Sequence, residues 1–194
     1  MNASARLAVA SVLLVCAATA HARPDRTGSV YLGAAYQKIA LESDGLYDAV
    51  ALEDTDTDYS LFAGLRFSRN FALEVDYSRL GEFVYDGGSV TYQGYQVAGL
   101  MIAPLDAELE LFARGGVGLV DAEQSAPAFD DTSTAFSLGV GVDWTPRYLN
   151  ALTVRGYMST RWITVEPLNT DPDDPDRSYD QNLYEYGVGI AYNF

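Results

Sequence analysis

Residues 183–194 alternate between large apolar side chains and small or polar ones. Counting back from Phe194, every second residue is aromatic or aliphatic, whereas the intervening positions hold glycine, alanine, asparagine or glutamate. Successive side chains of a β-strand point to opposite faces of the sheet, so this period of two predicts a strand with one apolar face. In a soluble sheet the apolar face would cover a core, whereas in a membrane barrel it would face lipid.

Seven further segments show the same alternation. Four are strong strand predictions, at residues 59–68, 71–78, 108–119 and 135–144, and three are weaker, at residues 30–37, 93–103 and 151–161. With the last segment the count is eight. An even number is typical of single-chain membrane barrels, and eight is their smallest size.

The predicted connections alternate in length. Short turns are expected at residues 69–70, 104–107 and 145–150, and longer loops at residues 40–58, 81–89, 122–132 and 166–180. In outer-membrane barrels the short turns are periplasmic and the long loops extracellular. The sequence therefore predicts an all-β, eight-stranded antiparallel up-and-down transmembrane barrel with both ends of the chain on the periplasmic side.

The first 22 residues have the features of a secretory signal peptide. Arg6 precedes a short apolar run, and Ala20-His21-Ala22 is a small-x-small cleavage site. We therefore predict a signal peptide at residues 1–22 and a barrel domain at residues 23–194. Cys16 is a poor lipidation site because Val15 precedes it.

Removal of the signal peptide changes the charge and the available chemistry. The chain has 12 basic and 27 acidic residues, and the signal holds only Arg6 among them, which leaves a net charge of −16. A nucleic-acid partner is not expected, because phosphate binding needs a basic patch. The only cysteine, Cys16, and the only histidine, His21, are lost with the signal.

Several segments resemble the eight-stranded OmpA-type outer-membrane β-barrels, the outer membrane protein β-barrel domain family. The resemblance lies in NFALEVDYS at 70–78, GYQV at 94–97, PLD at 104–106, FARGGVG at 112–118, GVGVDWTP at 139–146 and RGY at 155–157. It implies an outer-membrane location in a Gram-negative bacterium, with membrane lipids and lipopolysaccharide as neighbours. It also implies that Ile190, Tyr192 and Phe194 form the signal recognised by the barrel assembly machinery.

Charged residues of both signs fall on the predicted lumen face. They are Arg66, Glu74, Asp76, Arg114, Asp143, Arg155 and Glu185. Charges in a narrow lumen are expected to pair, because a lone buried ion is costly. The interior of an eight-stranded barrel is just wide enough for side chains to fill, which favours a static polar core. The alternative, implied by the family, is a gate whose ion pairs exchange partners to pass small ions.

Aromatic residues cluster near the predicted strand ends. The girdle prediction comprises Tyr59, Phe67, Phe71, Tyr77, Trp144, Trp162 and Tyr184, with Phe83, Tyr148, Tyr192 and Phe194 in similar positions. Such rings suit the headgroup level of a bilayer. The alternative is that aromatic residues simply favour strands.

An enzymatic role is disfavoured because hydrolysis of the serine type needs a base, which histidine usually supplies. The acidic runs 53–58 and 171–176 could offer oxygen ligands to calcium, but they lack the pattern of a calcium loop and suit solvated loops. No cofactor or metal is predicted.

We expect a non-enzymatic barrel that supports envelope integrity and presents acidic loops to an unknown extracellular partner. The alternatives are a narrow porin-like channel and, less favoured, a lipid-modifying enzyme.

Overall fold

The computed structural model describes residues 27–43, 55–85, 88–125, 128–165 and 179–194. The predicted signal peptide lies outside these residues, as do the acidic run 171–176 and the first two residues of the run 53–58. Among the described residues, no helix is long and apolar enough to cross a bilayer.

The described chain forms one closed antiparallel sheet of eight strands, which confirms the predicted fold. Each strand pairs with the next, and the last pairs with the first. The strands are β1 (Ser29–Ser43), β2 (Thr55–Arg66), β3 (Phe71–Tyr85), β4 (Gly88–Pro104), β5 (Leu109–Ser125), β6 (Ala128–Trp144), β7 (Leu152–Val165) and β8 (Tyr179–Asn193). A short 3₁₀ turn, Arg147–Leu149, lies between β6 and β7.

The strands are strongly staggered. Following paired residues once around the barrel from Glu110 on β5 leads back to the same strand at Val120, ten residues further along. This stagger sets the tilt of the strands and the width of the barrel. An eight-stranded barrel has an interior that side chains can fill.

We define the turn end of the barrel as the end that carries the connections 67–70, 105–108 and 145–151. The outer surface has an apolar band next to this end. The exposed apolar residues of this band include Val30, Leu32, Leu61, Leu73, Val97, Val117, Leu138, Val188 and Ile190. A transmembrane strand needs about 9–11 residues. The strands have 12 to 17 residues, so they extend beyond the band at the opposite end, the loop end.

The two faces exchange character where the strands leave the band. Towards the loop end the outward positions become polar, at Lys38, Thr57, Arg79, Glu82, Thr91, Gln93, Asp121, Glu123, Thr132, Thr134, Thr164, Asp180 and Asn182. The inward positions at the same level become apolar and form a buried cluster. This is the arrangement expected of a sheet with water outside and a core inside.

Two of the long-loop predictions are wrong, because the polar outward residues above the band belong to strands. Residues 81–89 and 122–132 were expected to be loops, but β3 and β4 leave only residues 86–87 between them, and β5 and β6 leave only residues 126–127. Glu82, Glu123 and Thr132 in these segments are exposed on the outer face of strands that continue. The short and long connections therefore do not alternate strictly.

The predicted outward position of Phe83 is wrong because of a β-bulge at Leu80 and Gly81. Arg79 pairs with Gln93 and Glu82 with Thr91, so two residues of β3 oppose one residue of β4. Gly81 has φ of +94°, which favours glycine. The extra residue reverses the alternation, so Phe83 points into the barrel with no exposed surface and does not belong to an outer girdle.

Above the band the barrel divides into two four-stranded halves. Pairing between β2 and β3 stops at Ser60 and Ser78, and pairing between β6 and β7 stops at Ala135 and Ile163, whereas every other pairing continues further. At the first seam Asp56 accepts a hydrogen bond from the Glu82 amide at 2.7 Å, and Asp58 lies 3.4 Å from the Arg79 guanidinium. The bulge therefore helps to close this seam.

We expect Gly81→Ala to destabilise the barrel. A Cβ at this position would lie 3.0 Å from the Asp56 Cβ on a backbone with φ of +94°. The free energy of unfolding, measured by urea titration in lipid vesicles, should fall by about 1–3 kcal/mol. Gly99→Ala is the matched control because no atom lies within 4 Å of its Cβ position, and it should not destabilise. Equal stability of the two variants would contradict the role of the bulge.

Candidate functional site

The lumen contains a charged layer between two apolar layers. The lower layer, towards the turn end, is Tyr31, Ala35, Phe62, Ala72, Ala98, Leu100, Ile102, Phe112 and Ala191. The upper layer is Ile39, Leu41, Leu80, Phe83, Val90, Tyr92, Val120, Ala122, Ala135, Ile163 and Leu183. On each of β1, β3, β4, β5 and β8, the strand places polar or glycine residues between the two apolar sets.

Glu74 on β3 lies at the centre of the charged layer and is 1% exposed. Its Oε2 accepts from Arg155 Nη1 at 2.6 Å and from the Tyr31 hydroxyl at 3.0 Å. Its Oε1 lies 3.6 Å from Arg114 Nη2. One carboxylate thus contacts guanidinium groups from β5 and β7 across the lumen.

Asp76 and Glu185 hold the loop-end side of this layer. Arg114 Nη2 donates to Asp76 Oδ2 at 2.6 Å, and the Ser78 hydroxyl donates to Asp76 Oδ1 at 3.2 Å. Arg161 Nε lies 3.1 Å from Glu185 Oε1, and its Nη2 lies 3.9 Å from Asp76. The side chains therefore form one network that crosses the lumen.

Arg155 connects the charged layer to the lower apolar layer. Its Nε and Nη2 donate to both oxygens of Asp143, at 2.9 and 3.0 Å. Its guanidinium carbon lies 4.7 Å from the ring centroids of both Phe62 and Phe112. A bidentate carboxylate and two aromatic faces fix this side chain in one orientation.

A separate ion pair closes the turn end. Arg66 on β2 donates to both oxygens of Glu110 on β5, at 3.0 and 3.1 Å, and also to the backbone carbonyls of Ser68 and Arg69. Both side chains are buried. This pair ties opposite walls of the barrel together below the rings of Phe62 and Phe112.

The structure places all seven predicted lumen residues inside the barrel, but not in one cluster. Glu74, Asp76, Arg114, Asp143, Arg155 and Glu185 share the central network, whereas Arg66 belongs to the turn-end pair. The sequence prediction missed Glu110 and Arg161. Both have the same parity as selected residues on their own strands, Arg114 and Arg155, and that parity is the signal that would have found them.

The charged layer encloses very little free space. Its cavity has a volume of about 10 Å³ and is lined by Glu74, Asp76, Arg114, Arg155, Tyr157 and neighbouring residues. A single water molecule needs about 10–15 Å³. Above it, Phe83, Tyr92 and Leu183 have no exposed surface. The rings of Phe83 and Tyr92 pack edge to face with centroids 5.9 Å apart.

The predicted girdle residues all lie on the outer surface. Phe67 and Phe71 stack at the turn end, where Trp144 also lies, and Tyr77 packs against Tyr95 on the neighbouring strand. Tyr59, Trp162 and Tyr184 lie at the loop-end edge of the apolar band, and the Tyr184 hydroxyl donates to Glu42 at 2.8 Å. Their role as membrane anchors remains a prediction.

The three residues of the predicted assembly signal face outward, two on β8 and Phe194 directly after it. Ile190, Tyr192 and Phe194 are 55%, 51% and 74% exposed, and the rings of Tyr192 and Phe194 pack edge to face. The Phe194 amide donates to the Val30 carbonyl on β1 at 2.9 Å. These residues therefore form part of the seam that closes the barrel.

No metal centre is present among the described residues, since they include no group of three or more histidine, cysteine, aspartate or glutamate side chains positioned to hold an ion. A large apolar groove of about 970 Å³ runs over the outer surface, past Phe71, Gly99, Met101 and Met158. It lies within the apolar band, where hydrocarbon is the expected solvent.

Solved structures with the same architecture include several outer-membrane barrels. Neisserial surface protein A has a TM-score of 0.63 at 13% identity, covering 86% of this chain and 99% of that chain. Ail of Yersinia pestis, in complex with the heparin analogue sucrose octasulfate, has a TM-score of 0.57 at 15% identity, covering 87% and 99%. OprG of Pseudomonas aeruginosa has a TM-score of 0.54 at 11% identity, covering 87% and 96%.

These likenesses establish the fold. No curated protein matches the sequence. The sequence profile of the outer membrane protein beta-barrel domain family matches residues 7–194. The chain therefore belongs to that family.

Proposed function

We propose that this protein is a non-enzymatic barrel of a Gram-negative outer membrane whose lumen is closed to ions. In this proposal residues 1–22 are removed, the loop end faces the cell surface, and the barrel supports the envelope and presents its acidic loops to an extracellular partner. The observation that carries the proposal is the apolar upper layer, which lies over a charged layer with a cavity of only about 10 Å³.

The pairing of the lumen charges favours a static core over a gate. The central layer contains three guanidinium groups and four carboxylates, and hydroxyl groups of Tyr31, Ser78 and Ser159 donate to those carboxylates. Exchange of partners would leave a buried charge uncompensated, which is strongly unfavourable. A gate would also have to open the apolar layer above.

The absence of histidine and cysteine from residues 23–194 supports a non-enzymatic role. The buried carboxylates that could replace histidine as a base are held by arginine, as Glu74 and Asp143 show. Glu74 Oε2 and both oxygens of Asp143 already accept hydrogen bonds from arginine N–H groups and are therefore not free to bind a substrate proton donor. The functions to be tested against the proposed envelope role are therefore transport and adhesion, not catalysis.

The outward polar positions above the apolar band suit contact with outer-leaflet headgroups. Lys38 and Arg79 are basic, whereas Glu42, Glu82 and Glu123 are acidic. We propose that the two basic side chains contact lipopolysaccharide phosphates and that any contact of the acidic ones with those phosphates is bridged by divalent cations. Recognition of Ile190, Tyr192 and Phe194 by the barrel assembly machinery is part of the same proposal.

The closed lumen predicts an electrically silent protein. Barrel refolded in detergent and reconstituted in planar bilayers should give no conductance steps, and Arg114→Gln should be equally silent. A large porin reconstituted in the same way provides the positive control. Steady steps that scale with the amount of protein, and that change in Arg114→Gln, would establish the narrow channel instead.

The charged layer predicts a large loss of stability in Glu74→Gln. This change leaves Arg114 and Arg155 without their shared carboxylate charge, and breaking a buried pair costs about 3–5 kcal/mol. The loss should appear in urea titrations in lipid vesicles. Glu123→Gln is the control because its side chain is exposed. Matching unfolding curves for the two variants would exclude a structural role of the network.

The proposed assembly signal predicts a defect in cells that is absent in purified protein. Phe194→Ala should lower the amount of heat-modifiable barrel in outer membranes, because the machinery would lose an exposed aromatic contact. Refolding of the purified variant into vesicles should be unaffected. Phe67→Ala, which also removes an exposed aromatic ring at the turn end, should assemble normally. Equal assembly of both variants in cells would argue against the signal.

A further inference from the structure

The seam between β6 and β7 opens into a pocket just above the apolar band. Pairing across this seam ends at Ala135 and Ile163, although β6 continues to Ala128 beside β5 and β7 continues to Val165 beside β8. The pocket has a volume of about 500 Å³. Small-molecule sites typically have volumes of about 300–1,000 Å³.

The lining combines one aromatic edge with hydroxyl, amide and carboxylate groups. Phe136 and Trp162 form the side next to the apolar band, and Ile163 and Gln181 belong to the inward face of the sheet. The remaining lining residues are Glu42, Thr134, Thr164, Asp180 and Asn182. The pocket thus reaches from the outer surface to the inward face of β7 and β8.

Gln181 supplies a buried amide nitrogen that has no hydrogen-bond partner among the described residues. Its side chain has no exposed surface, and its Oε1 accepts a hydrogen bond from the Tyr92 hydroxyl at 2.7 Å. Its Nε2 donates to no atom in the part of the chain that the structure describes. A buried donor left unsatisfied costs about 1–3 kcal/mol, so an acceptor atom of a ligand that entered far enough to reach Nε2 would be stabilised.

The two carboxylates are fixed and retain capacity to accept further bonds. Tyr184 donates to Glu42 at 2.8 Å, and the Thr164 hydroxyl donates to Asp180 at 3.0 Å. An ionised carboxylate can accept about four hydrogen bonds, so each can also accept from hydroxyl or ammonium groups of a ligand. The indole of Trp162 is 41% exposed and offers an apolar face beside these acceptors.

The charge of the lining excludes other ligand classes. No lysine or arginine is among the lining residues in the part of the chain that the structure describes, so a phosphate or sulfate group would meet their carboxylates without a counter-charge from them. Glu42 and Asp180 belong to no described group of three ligands that could hold a metal ion. A ring with an apolar C–H face and hydroxyl groups on its edge satisfies the indole, the carboxylates and the Gln181 amide together.

We propose that this seam pocket binds a pyranose sugar that is uncharged or carries an amine. Such a sugar can come from a soluble saccharide or from a glycosylated lipid of the same membrane, because the pocket borders the apolar band. The sugar site goes beyond the proposed function, and it does not depend on whether the lumen conducts ions.

Calorimetric titration of the barrel in phosphatidylcholine nanodiscs tests the proposal. The probes are maltose, glucosamine and a sulfated heparin disaccharide. Maltose or glucosamine should give saturable heat at millimolar concentration, and the sulfated disaccharide should give none. Absence of heat with both unsulfated sugars, or tighter binding of the sulfated one, would overturn the proposal.

Paired variants assign the binding to this pocket. Trp162→Leu and Gln181→Glu should each weaken binding by about tenfold or more, because the first removes the apolar face and the second replaces the free amide donor by an acceptor. Trp144→Leu, at the turn end, and Gln93→Glu, on the outward polar surface, are the matched controls and should bind normally. Heat-modifiable migration of each variant establishes folding. Normal binding by folded Trp162→Leu and Gln181→Glu would place the sugar elsewhere and overturn the assignment.

A glycosylated lipid added to the nanodiscs distinguishes the two sources. If a membrane glycolipid fills the site, maltose and glucosamine should bind more weakly in these discs. Unchanged binding assigns the pocket to soluble saccharides. Both results support the sugar site.

Discussion

The hydrogen bonds between β1 and β8 impose the constraint on which the rest of the structure depends. Hydrocarbon offers no partner to a free strand edge, so the backbone must satisfy itself by closing the sheet. Eight strands with a stagger of ten residues then fix a narrow interior. Side chains that face this interior must be small or must pair. The arginine and carboxylate residues pair across the lumen, and glycines such as Gly64 and Gly141 make room for the rings of Tyr31 and Phe112.

The strands are longer than the hydrocarbon layer requires, so their outer face meets a second solvent, water. Each strand passes from hydrocarbon into water, and the apolar side of the sheet must change from outside to inside at that point. Leu73 and Val75 face lipid on β3, whereas Leu80 and Phe83 on the same strand face the upper core. The result is a membrane barrel whose interior holds the charged layer and the lower apolar layer, continued by a water-facing barrel with an apolar interior. The upper core also caps the charged layer.

The sequence predicts the part of the barrel inside the apolar band, where the outer face meets only hydrocarbon. Within the band, period two identified all eight strands and the inward parity of Glu74, Arg114 and Arg155. It failed at residues 81–89 and 122–132, where outward polar residues look like loop residues unless the change of solvent is known. It could not anticipate that the bulge at Gly81 turns Phe83 inward. Which lumen charges pair with each other, such as Arg161 with Glu185, depends on register and side-chain reach, which periodicity does not specify.

The two seams above the band show how one local irregularity can decide where a pocket forms. At the seam between β2 and β3, the bulge directs the Glu82 amide towards Asp56, and Arg79 meets Asp58, so side chains replace the missing backbone pairs. The pairing between β6 and β7 has an unbroken register from Trp144 to Ala135 and then stops. The strands separate there without a comparable bulge, and the Gln181 Nε2 has no hydrogen-bond partner among the described residues. The two seams therefore differ in that only the first has an extra residue whose neighbours bond across the gap, and the polar pocket lies at the other seam.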